Sequence, residues 1–206
     1  MKTIVYPMTQ YREIAQQLAS AEIIALPTDT VFGLAALATS PRAVEKLLDV
    51  KQRPQDKAFS YLVANVEMIE EVCELRPRDY WLISRFLPGP WTFIFNKKYP
   101  NPLVDNGLKS LAIRICDLKE TLAVIEELKT GVYLPSANIS GQPPLVRVKD
   151  VYDVFSGKIA GILDMDAQNQ EASTIVDCTQ DQLRLIRAGV GDYQKLKKVM
   201  KENKYE

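Results

Sequence analysis

The sequence predicts an α/β domain, and three observations carry that expectation. Short β-rich runs alternate with segments of helical spacing almost from end to end. Polar loops of small residues follow or interrupt the apolar runs. The composition, 47% hydrophobic and 25% charged over 206 residues, is that of an ordinary globular chain, long enough to bury roughly 70% of its unfolded surface. No repeat, linker or low-complexity tract interrupts it, so residues 1–206 read as a single domain.

In chain order, Thr3 to Tyr6 reads as a strand, and Tyr11, Ile14, Ala15 and Leu18 follow at helical spacing. Glu22 to Leu26 reads as a buried strand. Ser40 and Pro41 supply an N-cap and a first-turn proline for a helix with Val44, Leu47 and Leu48 on its apolar stripe. Strands are expected at Phe59 to Ala64, Trp91 to Phe95, Leu111 to Ile115 and Val132 to Leu134. Between the last two, Asp117 and Glu120 resemble a capping box for a helix through Leu128 that Gly131 closes. Further strands are read near Ile159 to Leu163, Ser173 to Asp177 and Leu183 to Ile186. The last helix carries Lys195, Lys197, Lys198, Lys201 and Lys204 outward and Leu196, Val199 and Met200 inward.

Several function classes drop out. The chain has no histidine, which removes Ser-His-Asp and Cys-His nucleophile systems and histidine-built metal sites. Lys plus Arg equals Asp plus Glu, 26 each, so no global basic field holds nucleic acid. The cysteines Cys73, Cys116 and Cys178 form no CxxC pair and read as reduced thiols of a cytoplasmic protein. No apolar run is long enough to span a membrane, and neither a P-loop nor a Rossmann fingerprint is present.

What remains points to a small anion. The run KQRPQDK at 51–57 gathers Lys51, Arg53 and Lys57 at a helix end beside Pro54, an arrangement that can grip a phosphate. Lys51 and Arg53 are expected to be partly exposed. PTDTVFGL at 27–34 reads as a strand-end loop with two hydroxyls and a carboxylate, and PGPWT at 88–92 as a turn into a strand. PSANISG at 135–141 offers Ser136 and Asn138 to ribose or phosphate oxygens, or as caps of its own turn. Arg187 ends a strand beside Gly189; taken alone, a salt bridge is its expected role. Arg114, inside Leu111-Ala112-Ile113-Arg114-Ile115, must either form an internal ion pair or clamp a substrate carboxylate, because an unpaired buried charge is costly.

Taken together, PTDTVFGL, KQRPQDK, PGPWT, Ala112-Ile113-Arg114, PSANISG, STIVD at 173–177 and Arg187-Ala188-Gly189 resemble, in order, the motifs of the threonylcarbamoyl-AMP synthase family, the YrdC-like domain. The resemblance implies a twisted, mixed β-sheet with flanking helices around a central cationic cavity. It implies synthesis of L-threonylcarbamoyladenylate and pyrophosphate from L-threonine, bicarbonate and ATP. The product would go to a tRNA-modification complex acting at adenosine 37. The family pattern places Thr30, Arg114 and Ser173 around threonine and Lys51, Arg53, Lys57, Ser136, Asn138 and Arg187 around ATP, with Lys51 and Arg53 the catalytic pair. Mg2+ would arrive with ATP, so no dedicated ligand cage is implied.

The chain departs from the pattern at Ala58, Cys116, Pro144 and Met165, and its length suggests the short form without a second domain. An RNA-binding relative of the same fold, like YciO, is the alternative, and the lysine-rich last helix is the place for a weak contact with tRNA or double-stranded RNA. Carbamoyl-AMP chemistry of the hydrogenase-maturation type is the third reading.

Overall fold

A computed structural model describes residues 2–52, 59–104 and 107–203. Along the chain run β1 (Ile4–Tyr6), α1 (Tyr11–Ala19), β2 (Ile24–Leu26), β3 (Gly33–Leu37), α2 (Pro41–Lys51) and β4 (Ser60–Leu62). Then come α3 (Val66–Glu70), β5 (Cys73–Glu74), α4 (Pro77–Phe86), β6 (Trp91–Lys97), β7 (Ser110–Arg114) and α5 (Lys119–Leu128). The described chain closes with β8 (Val132–Tyr133), α6 (Val148–Phe155), β9 (Gly161–Leu163), β10 (Thr174–Asp177), β11 (Arg184–Arg187) and α7 (Tyr193–Glu202).

The strands form one mixed sheet in the order β1-β9-β2-β3-β8-β4-β7-β6-β10-β11, with β5 added beside β6. The α/β expectation therefore holds, with parallel and antiparallel ladders both present. Side chains alternate faces along a strand, and the register turns that alternation into two rows across the sheet. One row is apolar: Tyr61, Ile113, Phe93, Val176 and Leu185 lie side by side on β4, β7, β6, β10 and β11. The first four are buried in the larger core, with Leu47 of α2, Leu82 of α4, Phe155 of α6 and Leu196 of α7. The other row carries Leu62, Arg114 and Ile175, and Arg187 joins it opposite Ile175 because the β10–β11 register shifts between Ile175 and Val176. Continuing the β6–β7 register sets Thr92 opposite Arg114, and Thr92 pairs with Ile175. A smaller core packs Ile14 and Leu18 of α1 with Val124 and Ile125 of α5.

Local chemistry explains several helix ends. Ser40 caps α2 by accepting from the Ala43 N–H, with Pro41 in the first turn, as the sequence predicts. α2 closes on Gln52, which takes the left-handed conformation at φ 50°. The capping box at Asp117 does not form. Leu118 occupies the N-cap of α5 without a side-chain bond, and the left-handed closing residue is Lys129 rather than Gly131. Asp192 caps α7 through the N–H groups of Gln194 and Lys195. Val199 of that helix is only half-buried, whereas Leu196 and Met200 are buried.

No helix among the described residues is long and apolar enough to cross a membrane. Cys73, Cys116 and Cys178 are free and buried. Burial pushes the Cys73 and Cys116 thiols up to about 12 and raises Cys178 further, so all three stay protonated at neutral pH. We expect none of them to react with a thiol reagent in the native protein at pH 8 and all to react after unfolding in guanidinium; fast labelling of the native chain would contradict this. Replacing the cap by Ser40→Ala should lower unfolding free energy by about 1 kcal/mol in a denaturant titration.

Candidate active site

The site begins where β2 hands over to β3. Residues 27–32 make a compact turn held by its own hydroxyls. The Thr28 Oγ1 donates to the Val31 carbonyl at 2.7 Å and accepts from the Thr30 N–H at 3.1 Å. The Thr30 hydroxyl meets Thr28 Oγ1 at 2.9 Å, and the Thr121 hydroxyl of α5 donates to the Pro27 carbonyl at 2.7 Å. From above, the N–H groups of Gln168 and Asn169 donate to the carbonyls of Thr28 and Thr30. The expected loop through Leu34 is shorter than read, because β3 already starts at Gly33. A Cβ at Gly33 would lie 2.4 Å from Leu134 Cγ, so glycine lets residues 134–136 run beside the strand.

This turn places Asp29 against Arg114. Arg114 Nη2 donates to Asp29 Oδ1 at 2.6 Å, with the two side chains only 9% and 7% exposed. The pair is single-pronged: Asp29 Oδ2 and Arg114 Nε are buried and have no hydrogen-bond partner among the described residues. The internal ion pair read as one option for Arg114 is therefore real. Arg114 also lines a cavity of about 140 Å3, walled by Thr28, Ser60, Leu62, Ser136, Ser173 and Arg187 among others. That volume matches an apolar cavity that takes benzene.

Two more segments close the wall. After β8, the chain from Leu134 to Asn138 passes β3, with the Leu34 N–H on the Pro135 carbonyl and the Ala137 N–H on the Phe32 carbonyl. Opposite it, Ser173 enters β10 with its hydroxyl 2.7 Å from the Thr92 hydroxyl. Arg187 at the end of β11 donates from Nε and Nη2 to the Ser173 carbonyl, at 3.2 and 2.8 Å. The expected salt bridge of Arg187 is absent among the described residues: its bonds go to a backbone carbonyl and the Ser173 hydroxyl instead. Burial, and then the charge of Arg114, lower its pKa. The outer turn of this hairpin is fixed from α4, where Arg76 and Arg78 flank the buried Asp79 and donate to the Cys178 and Gln180 carbonyls.

Lys51 departs from the expected exposure. It is 1% exposed, and its ammonium donates to the Ser136 carbonyl, to the Asn138 carbonyl at 3.0 Å and to Asn138 Oδ1 at 3.2 Å. Ser140 donates back to the Lys51 carbonyl from both its N–H and its hydroxyl. Asn138 completes the lock: Oδ1 accepts from the Ser136 hydroxyl, and Nδ2 donates to the Ile139 and Gln142 carbonyls. An ammonium has three protons, and three acceptors converge on this one. The end of α2 is thereby tied to the loop after β8.

The cavity wall thus brings together Arg114, Ser136, Ser173 and Arg187 of the sequence-derived set. Thr30, Lys51 and Asn138 are not among its lining residues, and Arg53 and Lys57 lie outside the described residues. Thr28, Ser60 and Leu62 were not singled out as ligands. The signal for Thr28 was its place two residues before Thr30; Ser60 and Leu62 emerge only from the β4–β7 register.

An α/β protein with a small pocket at its sheet face, floored by one guanidinium and rimmed by another, is the class that fold and site define. The family model Sua5/YciO/YrdC, described as telomere recombination, matches residues 16–189, and the chain belongs to that family. A Bacillus subtilis relative named threonylcarbamoyl-AMP synthase is 35% identical over 184 residues, 87% of this chain and 53% of its own length. The chain therefore spans about half of that relative. The structure of Pyrococcus abyssi Sua5 complexed with L-threonine superposes with a TM-score of 0.89 at 30% identity, covering 97% of this chain and 61% of that one. Escherichia coli YciO gives 0.85 at 19% identity, covering 93% and 98%, a likeness of fold.

Lys51→Met keeps the aliphatic stem but strips three acceptors of their donor. We expect it to destabilise the fold by about 3 kcal/mol in a denaturant titration. An unchanged midpoint would show that the lock carries no stability.

Proposed function

We propose that this chain forms L-threonylcarbamoyladenylate and pyrophosphate from L-threonine, bicarbonate and ATP, a nucleotidyl transfer. The observation that carries the reading is the placement of Arg114: buried, anchored by Asp29, and facing a cavity of amino-acid size walled by hydroxyls. Anchoring leaves the far edge of the guanidinium for a carboxylate, which it grips as a fork. The Ser173 and Thr28 hydroxyls can meet the polar groups of the amino acid, and Leu62 and Ile175 can receive a methyl. The name of the Bacillus relative and the threonine in the Pyrococcus complex support the same substrate. The YciO alternative has the shared family model and a likeness of fold behind it, and no named ligand.

The chemistry suits a chain without histidine. Threonine's amine combines with CO2 from bicarbonate to give a carbamate, and a carbamate oxygen attacks the α-phosphorus of ATP as pyrophosphate leaves. Such a transfer is accelerated by positioning and charge neutralisation. Arg53 and Lys57 are assigned to the phosphates, and Ser136 to the edge of the nucleotide. Lys51, Asn138 and Thr30 act by holding the loops that present these groups. Mg2+ enters chelated by the triphosphate, as part of the substrate; hydroxyls and guanidiniums in the wall suit an anion rather than a resident cation. Hand-over of the product to a tRNA-modifying partner, and a weak RNA contact by the exposed lysines of α7, belong to the same proposal.

The test is pyrophosphate release from ATP and bicarbonate with and without L-threonine, with the adenylate identified by mass. Threonine-independent release, or none from folded protein with Mg2+, would refute the reading. Because Arg114→Ala would strand the buried Asp29 at a cost of about 3–5 kcal/mol, the informative variant is the pair Asp29→Asn with Arg114→Gln. It should raise the threonine KM about tenfold or more while the ATP KM moves less than about twofold. An equal rise in both would argue against Arg114 as the threonine clamp.

A further inference from the structure

Between the end of α4, the start of β6 and the first turns of α7 lies a groove of about 440 Å3, lined by Arg85, Phe86, Trp91, Val190, Lys195 and Val199 among others. No residue lines both this groove and the cavity that holds Arg114. The two belong to opposite faces of the sheet. Trp91 lies on the face with Phe93 and the larger core, and Thr92, the next residue, lies on the face with Arg114.

The groove has an apolar floor and a cationic rim. Phe86 stands edge-on to Trp91 with ring centroids 5.3 Å apart, and Val190 adds aliphatic surface. Val199, expected on the buried stripe of α7, is half-buried and lines the groove instead. Arg85 and Lys195 are exposed and form no ion pair among the described residues. Lys198, three positions beyond Lys195, shares that side of the helix. Asp192 is the carboxylate of the lining, and it is engaged as the cap of α7, accepting from the Gln194 and Lys195 N–H groups at 2.9 and 3.1 Å. The local balance is positive in a chain whose total charge is zero, and α7 itself sets four lysines against one glutamate.

The floor suits a side chain better than a base. A stacked base needs the open face of an aromatic ring, and the Trp91 indole is only 7% exposed. Its plane lies 4° from that of Phe93, and Gly191 packs so closely on the indole that a Cβ there would sit 2.7 Å from the ring. Apolar volume bordered by unpaired cations is the complement of a peptide with a hydrophobic anchor among carboxylates. We propose that the groove between α4 and α7 is a docking site for an acidic segment of a partner protein. The segment seats one large apolar side chain against Phe86, Trp91 and Val199 and sets its carboxylates beside Arg85 and Lys195.

The groove is bonded to the strand that carries Ser173. The Thr174 N–H donates to the Pro90 carbonyl at 3.0 Å and its hydroxyl to the Gly191 carbonyl at 2.7 Å, while the Val190 N–H donates to the Ala172 carbonyl at 3.1 Å. A partner seated here therefore abuts the backbone behind Ser173 and uses a face of the sheet that the cavity does not. The docking proposal stands on the groove alone and holds whatever reaction the cavity performs.

The probe is a fluorescein-labelled peptide, EEDFLDEE, titrated by anisotropy against the full chain at about 50 mM salt. It should bind with a Kd below about 100 μM. The peptide EEDGGDEE, without the anchor, should bind at least about tenfold more weakly. Arg85→Glu with Lys195→Glu should weaken EEDFLDEE about tenfold or more, and the milder pair Arg85→Gln with Lys195→Gln should weaken it less. The same change of charge away from the groove, Lys197→Glu with Lys201→Glu, should leave the affinity within about threefold. No binding of EEDFLDEE, equal affinity for the anchorless peptide, or equal losses from the two reversed pairs would each overturn the proposal. So would a single-stranded oligouridylate that binds more tightly than the peptide and is weakened by the Arg85 and Lys195 reversals, since the groove would then belong to nucleic acid.

Discussion

A guanidinium placed in the middle of a sheet has to be answered by a carboxylate, and the contact between Arg114 and Asp29 organises what surrounds it. Arg114 sits on β7 with β4 on one side and β6 on the other, so it has no route to bulk water along the sheet. Asp29 arrives from the turn between β2 and β3, and that turn is shaped by Thr28, Thr30 and Thr121 so that the carboxylate points inward. The pair joins the half of the sheet built on β2 and β3 to the half built on β7 and β6. It also sets the cavity floor. The desolvation of both charges is offset by their mutual attraction only because the geometry holds them at contact distance.

One cation of the 51–57 run has a structural use. Lys51 lies at the end of α2, where its charge complements the helix dipole, and its ammonium is taken up by the loop after β8. A lysine in a run of cations reads as a ligand for phosphate. Here the same residue stiffens the segment that carries Ser136.

Much of this was legible in the sequence, for identifiable reasons. Arg114 stood out as the one charge in an apolar run, which correctly marked it as paired or functional; that it is paired, and by Asp29, could not be read because 85 residues separate them. Most strands announced themselves by β-branched and aromatic residues. β3 did not, since Gly33-Leu34-Ala35-Ala36-Leu37 has no intrinsic preference for the extended state, and it is a strand because β2 and β8 flank it. The helix α5 was foreseen, but its capping was not: Asp117 and Glu120 have the right spacing, while the chain enters the helix one residue later, at Leu118. That Thr28 rather than Thr30 lines the cavity depends on the hydroxyl bonds inside the turn, which no periodicity encodes. The segment with Arg53 and Lys57 lies outside the described residues, so its phosphate role stands on the sequence and the family likeness alone.

The residue that rims the cavity rides on the outermost strand. β11 pairs with β10 only, its four residues are all exposed, and its inner end is threaded past Ser173 by Gly189, where a Cβ would lie 2.1 Å from the Ala172 carbonyl oxygen. A strand with one neighbour opens at a lower free-energy cost than one in mid-sheet. The sheet edge that carries Arg187 is therefore the side of the pocket wall held by the fewest ladder bonds. At the opposite end of the β10–β11 hairpin, Arg76 and Arg78 tie the Cys178 and Gln180 carbonyls to α4, so the two ends of the ribbon are held unequally.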